Sequence, residues 1–321
     1  MLEVRDLSID LTRPDGERLR LVNDVSFALE RGRTLGIVGE SGSGKSMLLK
    51  ALIGLLPGPM RAGGQVILDG ENLLTLSEAQ MCAVRGRRIG MIFQEPMTAL
   101  NPAQRIGDQI AEGILWHRDI SRTEARREAL EWLERVRIPD AARRLDTYPH
   151  EMSGGQRQRV GIAIALAMRP GLLIADEPTT ALDVTVQAEI LDIFDEMVRE
   201  LGVALILVSH DLGVVGRIAD ETLVMYAGTR MEAGPTGDVL RHPRHPYTQG
   251  LLAAMPRRGG GRAGDLPTIP GTVPSLAALP PGCRFANRCP RVDDACRAAE
   301  PVWSGEPDAG IRCIHAGEVA A

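Results

Sequence analysis

Aromatic side chains are scarce in this chain, with three Trp, three Tyr and four Phe among 321 residues. Its core must therefore be built from aliphatic side chains. Long apolar runs are missing too. The longest, around residues 160–168 and 203–208, fall short of the ~18 residues that a membrane-crossing helix needs. The start, Met1-Leu2-Glu3-Val4-Arg5-Asp6, alternates charge and apolar character and holds no signal-peptide core. The chain reads as cytosolic by synthesis, with any membrane association supplied by partners. Excess positive charge is also absent: the net charge of −5 and pI near 5.8 argue against coating a nucleic acid. No internal repeat is visible. What is present is ordinary for a globular protein: 44% apolar and 25% charged residues, enough for a sizeable core and about two domains.

Residues 2–38 read as β-rich. Leu2-Glu3-Val4-Arg5-Asp6-Leu7-Ser8-Ile9 alternates as a strand with one wet face, and Pro14-Asp15-Gly16 marks a hairpin turn. Val66-Ile67-Leu68-Asp69-Gly70 is a further short strand and turn. Residues 95–160 turn helical: Ser121-Arg122-Thr123-Glu124 fits a capping box, and Leu130, Leu133 and Val136 recur at helical spacing. From residue 172 the pattern alternates again. Leu172-Leu173-Ile174-Ala175-Asp176 and Val203-Ala204-Leu205-Ile206-Leu207-Val208 are continuous apolar strands around an amphipathic helix at 186–201. That alternation predicts an α/β fold with a mostly parallel sheet covered on both faces. Arg257-Arg258-Gly259-Gly260-Gly261-Arg262 reads as a linker before a Pro-rich, Cys-bearing tail.

The octapeptide Gly39-Glu40-Ser41-Gly42-Ser43-Gly44-Lys45-Ser46 matches the phosphate-loop pattern at every fixed position. The buried run Leu35-Gly36-Ile37-Val38 precedes it and the helical run 47–53 follows. Glycines let successive N–H groups face phosphate oxygens, and the helix N-terminus adds partial positive charge. Lys45 would reach the β- and γ-phosphates of ATP, and Ser46 would hold Mg²⁺. Asp176, ending an apolar strand, meets the need for a strand-end carboxylate to orient Mg²⁺, and Glu177 beside it is the candidate general base. Ser153-Gly154-Gly155-Gln156, ahead of a helix at 160–168, is a weak anion-site signal taken singly. Two helix-N-terminal phosphate sites over 100 residues apart suggest that the second serves a nucleotide held by another subunit.

The order Gly39–Ser46, Gln94, Ser153-Gly154-Gly155-Gln156, Leu172–Glu177, Ala181-Leu182-Asp183 and His210 resembles the nucleotide-binding subunit of an ATP-binding-cassette (ABC) transporter. The resemblance implies a P-loop NTPase fold over residues 1–240, with an antiparallel N-terminal β part and a helical subdomain at about 95–160. It implies that Ser153–Gln156 is the signature pressed on the γ-phosphate of the opposite subunit, and that Asp183 lies in the dimer-contact loop. Gln94 would contact Mg²⁺ and the attacking water, and His210 the γ-phosphate. One departure stands out: residues 9–20 hold no aromatic to stack on adenine, with Leu11 at about the expected place and Arg13 nearby.

Phe93-Gln94-Glu95-Pro96-Met97-Thr98-Ala99-Leu100-Asn101-Pro102 and His245-Pro246-Tyr247-Thr248-Gln249-Gly250-Leu251-Leu252 narrow the likeness to the oligopeptide/dipeptide importer ATPases. Nickel and glutathione importers share much of it. The partners implied are a second ABC ATPase subunit, two permease subunits and an extracytoplasmic peptide-binding protein, with the chain peripheral on the cytoplasmic face of the cell membrane and no nucleic acid bound. Lys45, Glu177 and His210 are intact, which argues against an inactive subunit. A single cassette without a heptad array argues against DNA-repair or ribosomal ATPases of the same class.

Cys82, beside Arg85, Arg87 and Arg88, reads as a packing residue. Cys283, Cys289, Cys296 and Cys313 are spaced C-x5-C-x6-C-x16-C in the 241–321 extension. A reducing cytosol disfavours disulfides, and structural zinc sites prefer shorter C-x2–4-C pairs. The spacing alone leaves metal ligation and unligated thiols both open, with His315 as another donor. Here too the chain is similar to dipeptide-importer ATPases, through Gly282-Cys283-Arg284-Phe285 and Arg288-Cys289-Pro290. That likeness implies a [4Fe–4S] cluster on the four cysteines.

Overall fold

A computed structural model describes residues 1–94, 99–180, 182–255 and 268–316. Glu95-Pro96-Met97-Thr98, Ala181 and the linker at 257–262 lie outside the described residues. The strands in chain order are β1 (Leu2–Thr12), β2 (Arg18–Leu29), β3 (Thr34–Val38), β4 (Met60–Leu68), β5 (Glu71–Asn72), β6 (Ile89–Ile92), β7 (Leu172–Asp176), β8 (Ala204–Ser209), β9 (Glu221–Tyr226), β10 (Thr229–Pro235), β11 (Ser304–Gly305) and β12 (Gly310–Ile311). The chain divides into two compact units, one of Met1–Leu29, Leu35–Leu74 and Ser209–Ala321, the other of Glu30–Thr34 and Thr75–Val208.

In the first unit, Leu2 and Val4, and after a register shift Leu7 and Ile9, point inward from β1 and are almost fully buried, each pair in the period-2 spacing of a strand. β1 pairs antiparallel with β2 and β4, in the order β2-β1-β4-β5. The hairpin closes at Pro14-Asp15-Gly16, where Arg13 N–H donates to Glu17 O (2.9 Å) and Gly16 N–H to Arg13 O (3.0 Å). The same unit holds a mixed set of strands: β3 runs parallel to β9, β9 antiparallel to β10, and β10 antiparallel to β12. The tail therefore shares a core with the cassette strands. Val38, Val224, Tyr226, Tyr247, Cys283, Phe285 and Cys296 belong to one buried cluster.

In the second unit, β6, β7 and β8 pair in parallel, in that order, and β7 and β8 are buried along their whole length. Helices Ile106–His117, Arg122–Arg135 and Gly154–Leu166 build the helical part. The box at Ser121 forms as expected, with Glu124 N–H donating to Ser121 Oγ (3.2 Å) and Ser121 N–H to Glu124 Oε2 (2.9 Å). The buried stripe of that helix is Ala125, Ala129, Trp132 and Leu133, with Val136 just beyond; Leu130 is only half-buried.

Two expectations need correction. The helix after the Gly-Gly pair starts at Gly154, not near 160, because Ser153 and Gln156 form a capping box that satisfies the first-turn N–H groups. Cys82 is exposed rather than packed. Met81 and Val84 supply the buried face of helix Glu78–Val84, while Cys82 shares the polar stripe with Glu78 and Arg85. Among the described residues no helix is long and apolar enough to cross a membrane.

Candidate nucleotide site and cysteine chamber

The phosphate loop leaves the fully buried β3 and enters helix Lys45–Leu52. Gly39 has φ 155°, and a Cβ there would meet Met225 O at 2.1 Å; Gly44, at φ 96°, starts the helix in the left-handed region. Neither position admits another residue without strain. The ends of the loop are fixed by backbone bonds, Ser43 N–H to Glu40 O (3.2 Å) and Gly228 N–H to Ser43 O (3.0 Å). Lys45 is 5% exposed. Its ammonium donates to Gly39 O (2.6 Å), Glu40 O (3.0 Å) and Ser43 Oγ (3.3 Å), so the charge sits inside the loop. Ser41 and Gly42 are exposed at its rim, and Ser46 is half-buried in the first turn.

Glu40 is held from outside the motif. Its N–H donates to Tyr247 Oη (2.9 Å). Its carboxylate takes a bidentate pair from Arg288, Nη1 to Oε2 at 2.6 Å and Nη2 to Oε1 at 3.0 Å. The pairing with Glu40 holds the Arg288 guanidinium well above its ordinary range, and burial pushes the Tyr247 phenol up. His210, in this same unit, is exposed just past β8, and the next residue, Asp211, caps helix Leu212–Ile218.

The remaining candidates lie in the second unit. Asp176 ends β7 and is 5% exposed. Glu177 follows at φ 48°, a left-handed conformation that costs energy for a non-glycine residue. Its N–H donates to Val208 O (3.0 Å). Its Oε2 accepts from Thr180 Oγ1 (2.9 Å) and Gln94 Nε2 (3.3 Å), so Gln94 and Glu177 meet although 83 residues apart. Ser153 and Gly154 are exposed at the N-terminus of a 13-residue helix, with Gln156 half-buried beside them. Gly155 faces Val186, whose Cγ1 would lie 2.6 Å from an added Cβ. Val186 is fixed in turn by Asp183, whose Oδ1 accepts its N–H (2.9 Å) and caps helix Val184–Leu201.

Cys283, Cys289, Cys296 and Cys313 line one small chamber with His245, Phe285 and His315. Gly282 makes this possible: a Cβ there would lie 2.2 Å from Cys296 O, while Cys283 N–H donates to that same carbonyl (2.8 Å). Burial pushes the Cys283 thiol up to about 11, with the three other sulfurs adding to the rise. Burial is also the main cause of the rise at Cys289, Cys296 and Cys313. Two buried thiols, Cys283 and Cys296, and two half-buried ones, Cys289 and Cys313, converge there, a donor set of the kind that suits a soft metal centre. His315 Nε2 instead lies 2.9 Å from Asp293 Oδ2, and Asp293 Oδ1 accepts Cys296 N–H (2.8 Å).

Sequence reasoning passed over Arg288 and Tyr247. Both stand in stretches that carried the family likeness, but no spacing rule connects them to a loop more than 200 residues away. The comparisons with known proteins agree with the geometry. The ABC transporter family profile matches residues 22–180, and that of the oligopeptide/dipeptide transporter C-terminal region matches residues 231–296. The oligopeptide transport ATP-binding protein OppD of Salmonella typhimurium is 50% identical over 307 residues, 96% of this chain and 91% of that protein. OppD of Escherichia coli is 49% identical over 307 residues, 96% of this chain and 90% of that protein. Among solved structures, the dimeric ATP-binding cassette MJ0796 bound to ADP and Pi superposes with a TM-score of 0.66 at 26% identity, covering 74% of this chain and 99% of that one. The chain therefore belongs to the ATP-binding subunits of ABC transporters, in the branch of the oligopeptide importer ATPases.

Proposed function

We propose that this chain is the ATP-hydrolysing subunit that powers import of short peptides through a membrane ABC transporter. The observation that carries the reading is the 50% identity, along nearly the whole chain, to oligopeptide transport ATP-binding proteins. Two ATPase subunits, alike or merely related, would sandwich two ATP molecules. Each site would take the phosphate loop of one subunit and the signature of the other. The partners are two permease subunits and an extracytoplasmic peptide-binding protein, which places the chain peripherally on the cytoplasmic face of the membrane.

In this reading Gly39, Glu40, Ser41, Gly42, Ser43 and Gly44 wrap the phosphates, and Lys45 bridges the β- and γ-phosphates. Ser46, Asp176 and Gln94 offer hard oxygen donors suited to Mg²⁺. Glu177 takes the proton of the attacking water, and Thr180 and Gln94 hold its carboxylate in place. His210 braces the γ-phosphate. Ser153, Gly154, Gly155 and Gln156 present a helix N-terminus to the nucleotide of the other subunit, next to the dimer contact at Asp183. Cys283, Cys289, Cys296 and Cys313 fit a [4Fe–4S] cluster, which when bound would supply one-electron redox chemistry and cross-link the extension. What supports this is the convergence of four thiols, two buried and two half-buried, on one chamber.

The test is the assembled transporter in vesicles with its binding protein. Glu177→Gln is expected to keep nucleotide binding and lower hydrolysis at least about a hundredfold. Undiminished turnover removes Glu177 as base. Uptake of nickel or glutathione without any uptake of peptides refutes the substrate class.

A further inference from the structure

We propose that Arg288 and Tyr247 are positioning residues of the nucleotide site, setting the phosphate loop for the triphosphate through Glu40. The inference rests on the reading of Gly39–Ser46 as the ATP site, and it makes the C-terminal segment a working part of the ATPase.

Glu40 is tied through its N–H, its C=O and its carboxylate, and two of those ties reach residues far outside the loop. Its N–H reaches Tyr247 Oη, its C=O accepts from Lys45 Nζ, and its carboxylate takes the fork of Arg288. Arg288 is itself anchored. Its side chain is 4% exposed. Its Nε donates to Pro270 O (2.9 Å) and its Nη2 to Ile269 O (3.3 Å), and its guanidinium lies 5.7 Å from the centre of the Tyr226 ring. Tyr247 is fully buried, packed at 4.7 Å against Tyr226 and 5.3 Å against Phe285. Neither side chain can follow the loop if it moves, so each pins Glu40 to a fixed framework.

The electrostatics explain why an arginine is needed. A carboxylate in a loop that must receive a triphosphate opposes its own ligand. The bidentate guanidinium neutralises that charge and fixes its direction, which a lysine's point charge does less well. Removing Arg288 therefore does two things: it frees the loop and leaves the Glu40 charge facing the phosphates. Removing the Glu40 charge as well cancels the second effect. A merely structural arginine would show no such rescue.

The experiment measures equilibrium binding of a fluorescent ATP analogue with Mg²⁺ to the full chain, and the KM for ATP in the assembled transporter. Arg288→Ala is expected to weaken binding about tenfold, with Arg288→Lys intermediate and Tyr247→Phe weakening it about threefold. KM should rise in step, with kcat at saturating ATP within about twofold of the wild type. The double variant Glu40→Gln/Arg288→Ala should recover to within about threefold of the wild type. Wild-type affinity in Arg288→Ala, or a double variant as weak as Arg288→Ala, overturns the inference. Should Arg288→Ala fail to fold, unchanged affinity in both Arg288→Lys and Tyr247→Phe overturns it equally. Absence of ATP binding by the wild-type chain would instead refute the proposed function.

Discussion

Gly155 offers the sharpest test of the signature helix. A methyl placed there by Gly155→Ala lies 2.6 Å from Val186 Cγ1, against the 3.4 Å at which ordinary contact begins. One side must yield by the 0.8 Å between those values. Two effects on stability oppose each other. Overpacking costs about 1–3 kcal/mol, and Ala in place of Gly in a helix returns up to about 1 kcal/mol. Val186 is only half-buried, which favours the low end of the cost. The net change should stay within about 1 kcal/mol, a melting shift of no more than about 4 °C. Function is more sensitive. In the proposed ATP sandwich this group meets the other subunit's γ-phosphate, and displacing it by most of an ångström should lower turnover by about ten- to a hundredfold. ATP affinity of the isolated chain should not change, because the phosphate loop lies elsewhere in the sequence. The discriminating variant is Gly155→Ala/Val186→Ala, which deletes both Val186 γ-carbons and restores the space. ATPase activity of the assembled transporter should recover to within about threefold of the wild type. Failure to recover refutes the contact with Val186 as the cause, and full activity in Gly155→Ala alone refutes the role of the helix start.

Gly39→Ala should abolish ATP binding and lower the melting temperature, since the added Cβ meets a backbone oxygen at 2.1 Å that cannot turn away; calorimetric titration with Mg-ATP checks it. Thr180→Val removes the 2.9 Å bond to Glu177 Oε2 while keeping the side-chain volume. It should lower kcat about tenfold with KM for ATP unchanged, consistent with loss of a bond to a charged group. Serine at Cys283, Cys289, Cys296 or Cys313 should lose the visible absorbance and iron of anaerobically purified protein, whereas Cys82→Ser, altering an exposed thiol, should retain both. A colourless wild-type protein with stoichiometric zinc would refute the iron–sulfur assignment.

The features legible in the sequence are those in which cause and effect are local. The phosphate loop announces itself because strand, glycines and helix are contiguous, and the Ser121 box because its two bonds span three residues. The start of the signature helix was misplaced for a related reason. Two glycines argue against a helix by propensity, yet the reciprocal bonds of Ser153 and Gln156 with the first turn outweigh that cost. Cys82 was misread because a lone thiol suggests burial, whereas the helical phase puts Met81 and Val84 inward. The tail resisted reading most. Its cysteine spacing matches no short-range pattern, and their convergence depends on Gly282 passing against the Cys296 carbonyl. The Arg288–Glu40 pair spans 248 residues, and neither residue type signals the other.

The scarcity of aromatics acquires a meaning from where they lie. Tyr226, Tyr247 and Phe285 form one mutually packed cluster, with ring centroids 4.7, 5.2 and 5.3 Å apart and His245 6.0 Å from Phe285. They come from three separate segments: the end of β9 beside β3, the helix after residue 245, and the loop after Cys283. Aromatic rings bury the most area per residue and stiffen what they touch, so a chain with few of them has placed three where distant segments must keep fixed spacing. Two of them also direct hydroxyls at the loop clamp, Tyr247 Oη to Glu40 N–H and Tyr226 Oη to Arg288 at 3.4 Å. Residues 9–20 hold no aromatic for adenine, so in the proposed site the phosphate contacts would carry more of the nucleotide's recognition, with the rings packed behind the loop. Val38, which launches the loop, packs in the same buried cluster as Cys283 and Cys296. The strand that leads into the phosphate loop and two of the chamber's four cysteines therefore share one core, which the three rings hold together.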